Sequence, residues 1–239
     1  MHFEGRKSIG AMEAAENQRR WDEKHYQTVN KKPLHWYDIT RAHLNFEVAK
    51  GGIIQKIGTS KPVEERFKER LEELGVKPNP EVKKNNPAAA KMSNQIVEFV
   101  FSGDHEVMNM MAFGNQAVDF ERDGTADNRH IQRMNEIEQW ATDLYGWMAK
   151  KYGEENIIGF DVHLDETTAH CHATIIPVVM RTEKKTGRER PVVSYKGLFG
   201  KDKATGQEIM KQLHTELYEQ VNNKYGRMRA LSIDFDTSE

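Results

Sequence analysis

Cysteine is almost absent from this chain of 239 residues. Cys171 stands alone, so no internal disulfide can form and a reducing, cytoplasmic setting is expected. Long apolar runs are missing too. None approaches the roughly 18 residues of a membrane-spanning helix, and the opening MHFEGRKSIGAMEAAENQRR has no apolar stretch of signal-peptide length. Neither a membrane nor a secretory role is expected. A global excess of one charge is also lacking: 35 basic against 37 acidic side chains leave a formal net charge of −2. That argues against an indiscriminate nucleic-acid coat protein, which draws its affinity from overall basicity. There is no internal repeat and no low-complexity tract.

What is present is a highly charged, soluble-type chain, 30% charged and 37% hydrophobic. It is long enough for one α/β domain with a sizeable core, or at most two small ones. Positive charge is concentrated locally. Arg181 to Lys203 holds eight Lys/Arg against three Asp/Glu, with Tyr195 and Phe199 interleaved. Such a run suits a single-stranded backbone with bases stacked on aromatic rings; a solvated hairpin tip is the plain alternative.

Periodicity supplies the elements. Met1 to Phe3 starts as a strand, and residues 11 to 28 read as a helix. His43 to Val48 alternates like a short strand ended by Gly51-Gly52, and Pro62 to Gly75 frames a charged helix. Pro78, Pro80, Asn85, Asn86 and Pro87 mark a loop. QIVEFVF (95–101) is a strand, and Asp104 caps a helix reaching Phe113. The segment from Asn128 to Tyr152 carries an apolar stripe of Met134, Ile137, Ala141, Leu144 and Met148. Strands follow at 157–163 and 170–179, then a basic hairpin or loop. A last helix, 205–225, aligns Ile209, Leu213, Leu217 and Val221.

The sharpest signal is His163-Leu-Asp165-Glu166-Thr-Thr-Ala-His170-Cys-His172. On a strand, residues two apart share a face, so His170 and His172 project together. An antiparallel partner strand returns His163 beside them. Three neutral imidazoles with open positions make a cage for a divalent metal that must also bind substrate, and by donor type they suit zinc, nickel or iron. Glu166 and Asp165 sit in the turn, where a carboxylate can serve as the acceptor that ligating histidines need. A histidine-rich strand end without metal is the alternative.

This motif resembles the HxDExxPHxH signature of the MobV (Mob/Pre) relaxases, a branch of the HUH single-strand endonucleases, with Ala169 in place of the family's proline. HLNFEV (43–48) resembles a second family block, and SYKGLF (194–199) a third, so the likeness runs along nearly the whole chain in the family's order. The resemblance implies an α+β fold: an HUH-type antiparallel β-sheet with helices packed on one face and the three-histidine site on the other. It also implies a site- and strand-specific nick at a transfer origin, with a covalent 5′-phosphate link that starts plasmid mobilisation. Manganese or magnesium is then the expected metal. Single-stranded DNA and an origin hairpin are the expected partners, and no membrane. The expectation is one catalytic domain over 1–239, with a helical C-terminal region of the full protein missing and contact to conjugation coupling machinery made through it.

In the family, an N-terminal HNxR motif supplies a nucleophilic histidine. The matching stretch here is Glu16-Asn17-Gln18-Arg19, with Glu16 where histidine is expected. A carboxylate is a poor nucleophile toward a phosphodiester. His25 and Tyr26 are the first-ranked substitutes, with Tyr37 in the following loop, and a non-cleaving origin-binding module is the alternative function. An unrelated three-histidine enzyme acting on a small molecule predicts a closed apolar pocket instead. Arg19 is expected to grip a phosphate. Asn17, Arg181, Lys184, Lys185, Arg188, Arg190, Lys196 and Lys201 are expected on the DNA, with Glu166 and Arg19 in the catalytic set.

Overall fold

A computed structural model describes residues 1–30, 36–80, 92–121 and 125–225. Asn85, Asn86, Pro87 and the DFDTSE ending lie outside the described residues. The strands are β1 (His2–Arg6), β2 (Phe46–Ala49), β3 (Ile53–Lys56), β4 (Ile96–Phe101), β5 (Ile157–His163), β6 (His170–Ile175), β7 (Val178–Thr182) and β8 (Glu189–Val193). The helices are α1 (Ala11–Asn17), α2 (Glu23–Val29), α3 (Val63–Glu73), α4 (His105–Phe113), α5 (Asn135–Tyr152), α6 (Tyr195–Phe199) and α7 (Lys203–Gln220).

Six strands form one antiparallel sheet in the order β1-β4-β6-β5-β2-β3, which puts the histidine strands at its centre. Alternation sorts their side chains. Val97, Phe99 and Phe101 of β4 face the same core as Cys171, Ala173 and Ile175 of β6 and Phe160 and Val162 of β5. Against them pack Met108 and Met111 of α4, Ile137, Trp140, Leu144 and Met148 of α5, and Leu213 and Leu217 of α7. The expected stripes are buried, apart from a half-buried Ile209 and an exposed Met134, which precedes the first residue of α5.

The other face divides in two. Ile96, Ile158 and Ile176 form a dry half closed by α1 and α3 through Ala14, Val63, Phe67 and Leu71. The polar half carries the histidines. Helices therefore pack on one whole face and on part of the metal-bearing one. That cover was not expected, because α1 and α3 are distant in sequence from the strands beneath them.

Local chemistry explains the other departures. The helix expected over 11–28 breaks into α1 and α2 because Arg19 takes a left-handed backbone, φ 48°. Asp22 then caps the new helix through the His25 N–H. The α5 helix starts at Asn135 rather than near Asn128, since Asn128 is buried and donates to Asp38 and to the Asp119 carbonyl. The strand expected over 170–179 stops at Ile175, ahead of Pro177, and β7 pairs with β8 as a separate hairpin. Residues 42–44 form a 3-10 turn, so that the strand of this segment runs Phe46–Ala49. Gly51 and Gly52 close its turn at φ 81° and 73°.

Candidate metal centre

His163 ends β5 and His170 opens β6, directly opposite each other in the ladder; His172 follows on the same face. Their ring centroids lie 4.9–5.1 Å apart, and one nitrogen from each ring falls within 4.8 Å of the others. Two of the rings are oriented by backbone. His163 Nε2 is 2.6 Å from the Asn17 carbonyl, and His170 Nδ1 is 2.8 Å from the Thr168 carbonyl. A carbonyl only accepts, so these nitrogens carry the protons, leaving His163 Nδ1 and His170 Nε2 with free lone pairs. Those two atoms stand 3.3 Å apart, each 3.6 Å from Glu166 Oε1. Burial lowers the pKa of His163 and, more strongly, of His172, keeping both neutral, as ligation requires. The donor set therefore fits a divalent metal.

The turn between the ligand strands is held at nearly every residue. Leu164 N–H donates to Asn45 Oδ1 at 2.6 Å. The buried Arg41 donates to the Leu164 and Glu166 carbonyls and pairs with Asp38. Asn109 of α4 accepts from Ala169 N–H at 3.2 Å and donates to the Thr167 carbonyl at 3.0 Å. Arg41, Asp38 and Asn109 were not singled out from sequence, and Asn45 only as part of the HLNFEV block. Only their side-chain type, amide or guanidinium, hinted at backbone partners.

Arg19 lies beneath this turn with its side chain 2% exposed, bonded to Asp165 through Nε (2.9 Å) and NH2 (3.0 Å) and to Glu166 through NH2 (2.5 Å). Burial disfavours each charge, but for the carboxylates the partners win. Arg19 holds Asp165 low, while the neighbouring His163 and His170, and then Arg19, hold Glu166 low. The Arg19 guanidinium, expected on a phosphate, is engaged here with the two carboxylates of the turn. Asn17, expected on the DNA, is also engaged within the protein. It is buried, its amide donates to Glu98, and its carbonyl orients His163.

Of the expected nucleophile candidates, Tyr26 is buried with its hydroxyl 3.5 Å from Asp165 Oδ2, and His25 is exposed and stacked on Trp21. Glu16 accepts a 2.6 Å hydrogen bond from the Tyr37 hydroxyl. The basic side chains Arg181, Lys184, Lys185, Arg188, Arg190, Lys196 and Lys201 are all exposed. Arg181 and Arg190 are a cross-strand pair in the β7–β8 hairpin, whose base packs through Val178 and Val193 on the dry half of the histidine face. Lys196 and Lys201 line a groove of about 680 Å³ with Lys7 and Tyr195.

Asp161 stands between Glu47 and His172 in the ladder, 1% exposed, and its Oδ1 has no hydrogen-bond partner. Burial, and then the Glu47 charge, push its carboxyl up to about 8. In the unfolded chain it ionises near pH ~4. Between these values the folded chain keeps a proton that the unfolded chain has lost. Stability of the metal-free protein therefore falls as pH rises through that window. Asp161→Asn is expected to flatten the fall. Urea midpoints at pH 5 and 8 measure it, and an unchanged slope in the variant would refute the assignment.

An antiparallel sheet whose two central strands gather three histidines beside a DE turn is the arrangement that the HUH-type resemblance implied. Residues 115–230 match the family model described as plasmid recombination enzyme, Mob_Pre. That stretch is 116 of the 239 residues, just under half of the chain, and it contains the whole His163–His172 motif. Among solved structures it is similar to the manganese-bound MobM relaxase domain (MOBV; Mob_Pre) on plasmid pMV158 oriT DNA. The form with 22 nucleotides at pH 4.6 gives 17% identity, TM-score 0.57, and coverage of 100% of this chain and 95% of that one. The form with a 3′-thiophosphate at pH 6.8 gives 18% identity, TM-score 0.54, and coverage of 94% and 87%. At such identities the likeness speaks for the fold. No curated protein matches the chain in sequence. Among the described residues, no helix is long and apolar enough to cross a membrane.

Proposed function

We propose that residues 1–239 act as one relaxase domain that nicks a single DNA strand at a transfer origin, retains the 5′ phosphate covalently and so initiates mobilisation. The observation that carries this reading is the convergence of three imidazoles, two of them locked by backbone carbonyls, on an edge bordered by Glu166. Manganese or magnesium held by His163, His170 and His172 would polarise the non-bridging oxygens of the scissile phosphate. The chain supplies the rest. Its turn network fixes the rings before substrate arrives, and Arg19 offsets one of the two negative charges that Asp165 and Glu166 would otherwise turn on a phosphate.

The test is a supercoiled plasmid carrying the DNA beside this protein's own gene, together with the matching single strands, incubated with Mn²⁺. A strand-specific nick and a protein–DNA adduct stable to denaturant are expected. Glu16 in the family's histidine position favours a second reading, a non-cleaving origin-binding module, for which binding without nick or adduct is the signature.

The basic hairpin is assigned to the DNA backbone. Replacing Arg181 and Arg190 with alanine should weaken single-strand binding and lower the log–log salt slope by about 0.7 per lost phosphate contact. Metal binding should not change. An unaltered slope would place the DNA elsewhere.

A further inference from the structure

We infer that Tyr37 is the attacking nucleophile and that Glu16 takes its proton, an assignment that rests on the relaxase reading above. The reaction needs a nucleophile beside the histidine cluster and a base within hydrogen-bond reach. Glu16 is unsuited to attack a phosphodiester but is well suited to accept a proton, and the Tyr37 hydroxyl donates to its Oε1 at 2.6 Å.

The backbone of Tyr37 is fixed on three sides. The Asn30 side chain accepts from its N–H at 2.9 Å and donates to its carbonyl at 2.7 Å. The next N–H, that of Asp38, donates to the Asp165 carbonyl at 2.7 Å, tying this loop directly to the turn between the ligand strands. The phenol ring lies 4.7 Å from the Arg19 guanidinium carbon and meets Trp21 edge-on at 5.0 Å. Arg19 in turn bonds Glu166, whose Oε1 is 3.6 Å from the free nitrogens of both His163 and His170. One side chain thus separates the phenol from the acid that borders the metal cage.

The competing groups are placed differently. Tyr26 faces Asp165, a carboxylate already committed to the buried Arg19. His25 lies exposed on α2 and, among the described residues, no carboxylate bonds its ring. Burial and the Glu16 hydrogen bond raise the Tyr37 phenol, so it rests protonated and needs a base as the bond forms. In the step, a bond forms between Tyr37 Oη and phosphorus while the bond from phosphorus to the 3′ oxygen breaks. The phenol proton passes to the Glu16 carboxylate, and the leaving 3′ oxygen takes a proton from water. The products are a 5′-phosphotyrosine and a free 3′ hydroxyl.

Trypsin separates the candidates: Glu16 falls in residues 8–19, His25 and Tyr26 in 25–31, and Tyr37 in 32–41, since the Lys32–Pro33 bond resists cleavage. The wild-type chain is reacted with Mn²⁺ and the labelled strand, digested, and the DNA-linked peptide sequenced by fragmentation. A link at Tyr37 is expected. A link in either other peptide, or a cut with no link, overturns the assignment while nicking stands; no cut at all takes the relaxase reading down with it. Tyr37→Phe should abolish the adduct and slow cutting at least about a thousandfold, with Mn²⁺ and DNA affinities unchanged. An adduct on that variant overturns the proposal. Glu16→Gln keeps an acceptor for the phenol but loses the base. It should be slower by about a hundredfold at neutral pH and recover as pH rises; a loss that pH does not relieve assigns Glu16 a purely structural part.

Discussion

His172→Ala is expected to remove Mn²⁺ binding and to slow nicking at least about a thousandfold. A bound cation that polarises a phosphoryl oxygen contributes several kcal/mol to the transition state, and each ~1.4 kcal/mol is a factor of ten. His172 is the ligand to choose because no hydrogen bond of its ring ties one element to another among the described residues. His163 also holds the carbonyl of Asn17 at the end of α1, so its removal would loosen the helix as well as the metal. The far-ultraviolet spectrum and urea midpoint of His172→Ala should therefore stay near wild type, isolating the metal effect. Titration calorimetry with Mn²⁺ and a nicking gel give the two readouts. A variant that binds the ion as tightly as wild type would mean that the three rings are not the cage.

Arg19→Leu should lower folding stability by about 3–5 kcal/mol, because it leaves a fully buried Asp165 without its partner. Asp165 is 0% exposed, so water cannot screen the charge that remains. The pair together is a different matter. Taking two charges out of water costs nearly what their attraction returns, so Arg19→Leu/Asp165→Leu should recover most of the loss. Recovery will not be complete, since leucine at the φ of 48° that Arg19 adopts keeps the left-handed strain. Denaturant unfolding of the single and double variants closes the cycle. Additive losses would show that the bidentate contact contributes nothing specific.

The metal cluster was legible in sequence because strand geometry alone decides it: a period of two sets His170 and His172 on one face, and a short antiparallel return supplies His163. Glu166 was legible for the same reason, lying in that return. The Tyr37–Glu16 contact was not, since it joins the loop after α2 to the end of α1 through a chain reversal at Arg19 that no pattern announces. The internal engagement of Arg19 was not legible either, because an arginine beside a site reads as a ligand contact until both carboxylates of the DE pair are seen bonded to it. The sheet was legible strand by strand, whereas the cover of its polar face by α1 and α3 depends on contacts that periodicity does not encode.

At Ala169 the MobV pattern has proline, and this chain uses the freed N–H to bond Asn109 of α4. A proline would stiffen the turn by narrowing what the unfolded chain can sample. Here the stiffness is borrowed from a neighbour instead. Asn109 and His105, which reaches Thr168 at 2.9 Å, make α4 the anchorage of the turn. The rings at His163 and His170 are consequently geared to the seating of a helix on the opposite side of the sheet. A ligand or partner that rocks α4 would change the aperture between them without touching the metal face.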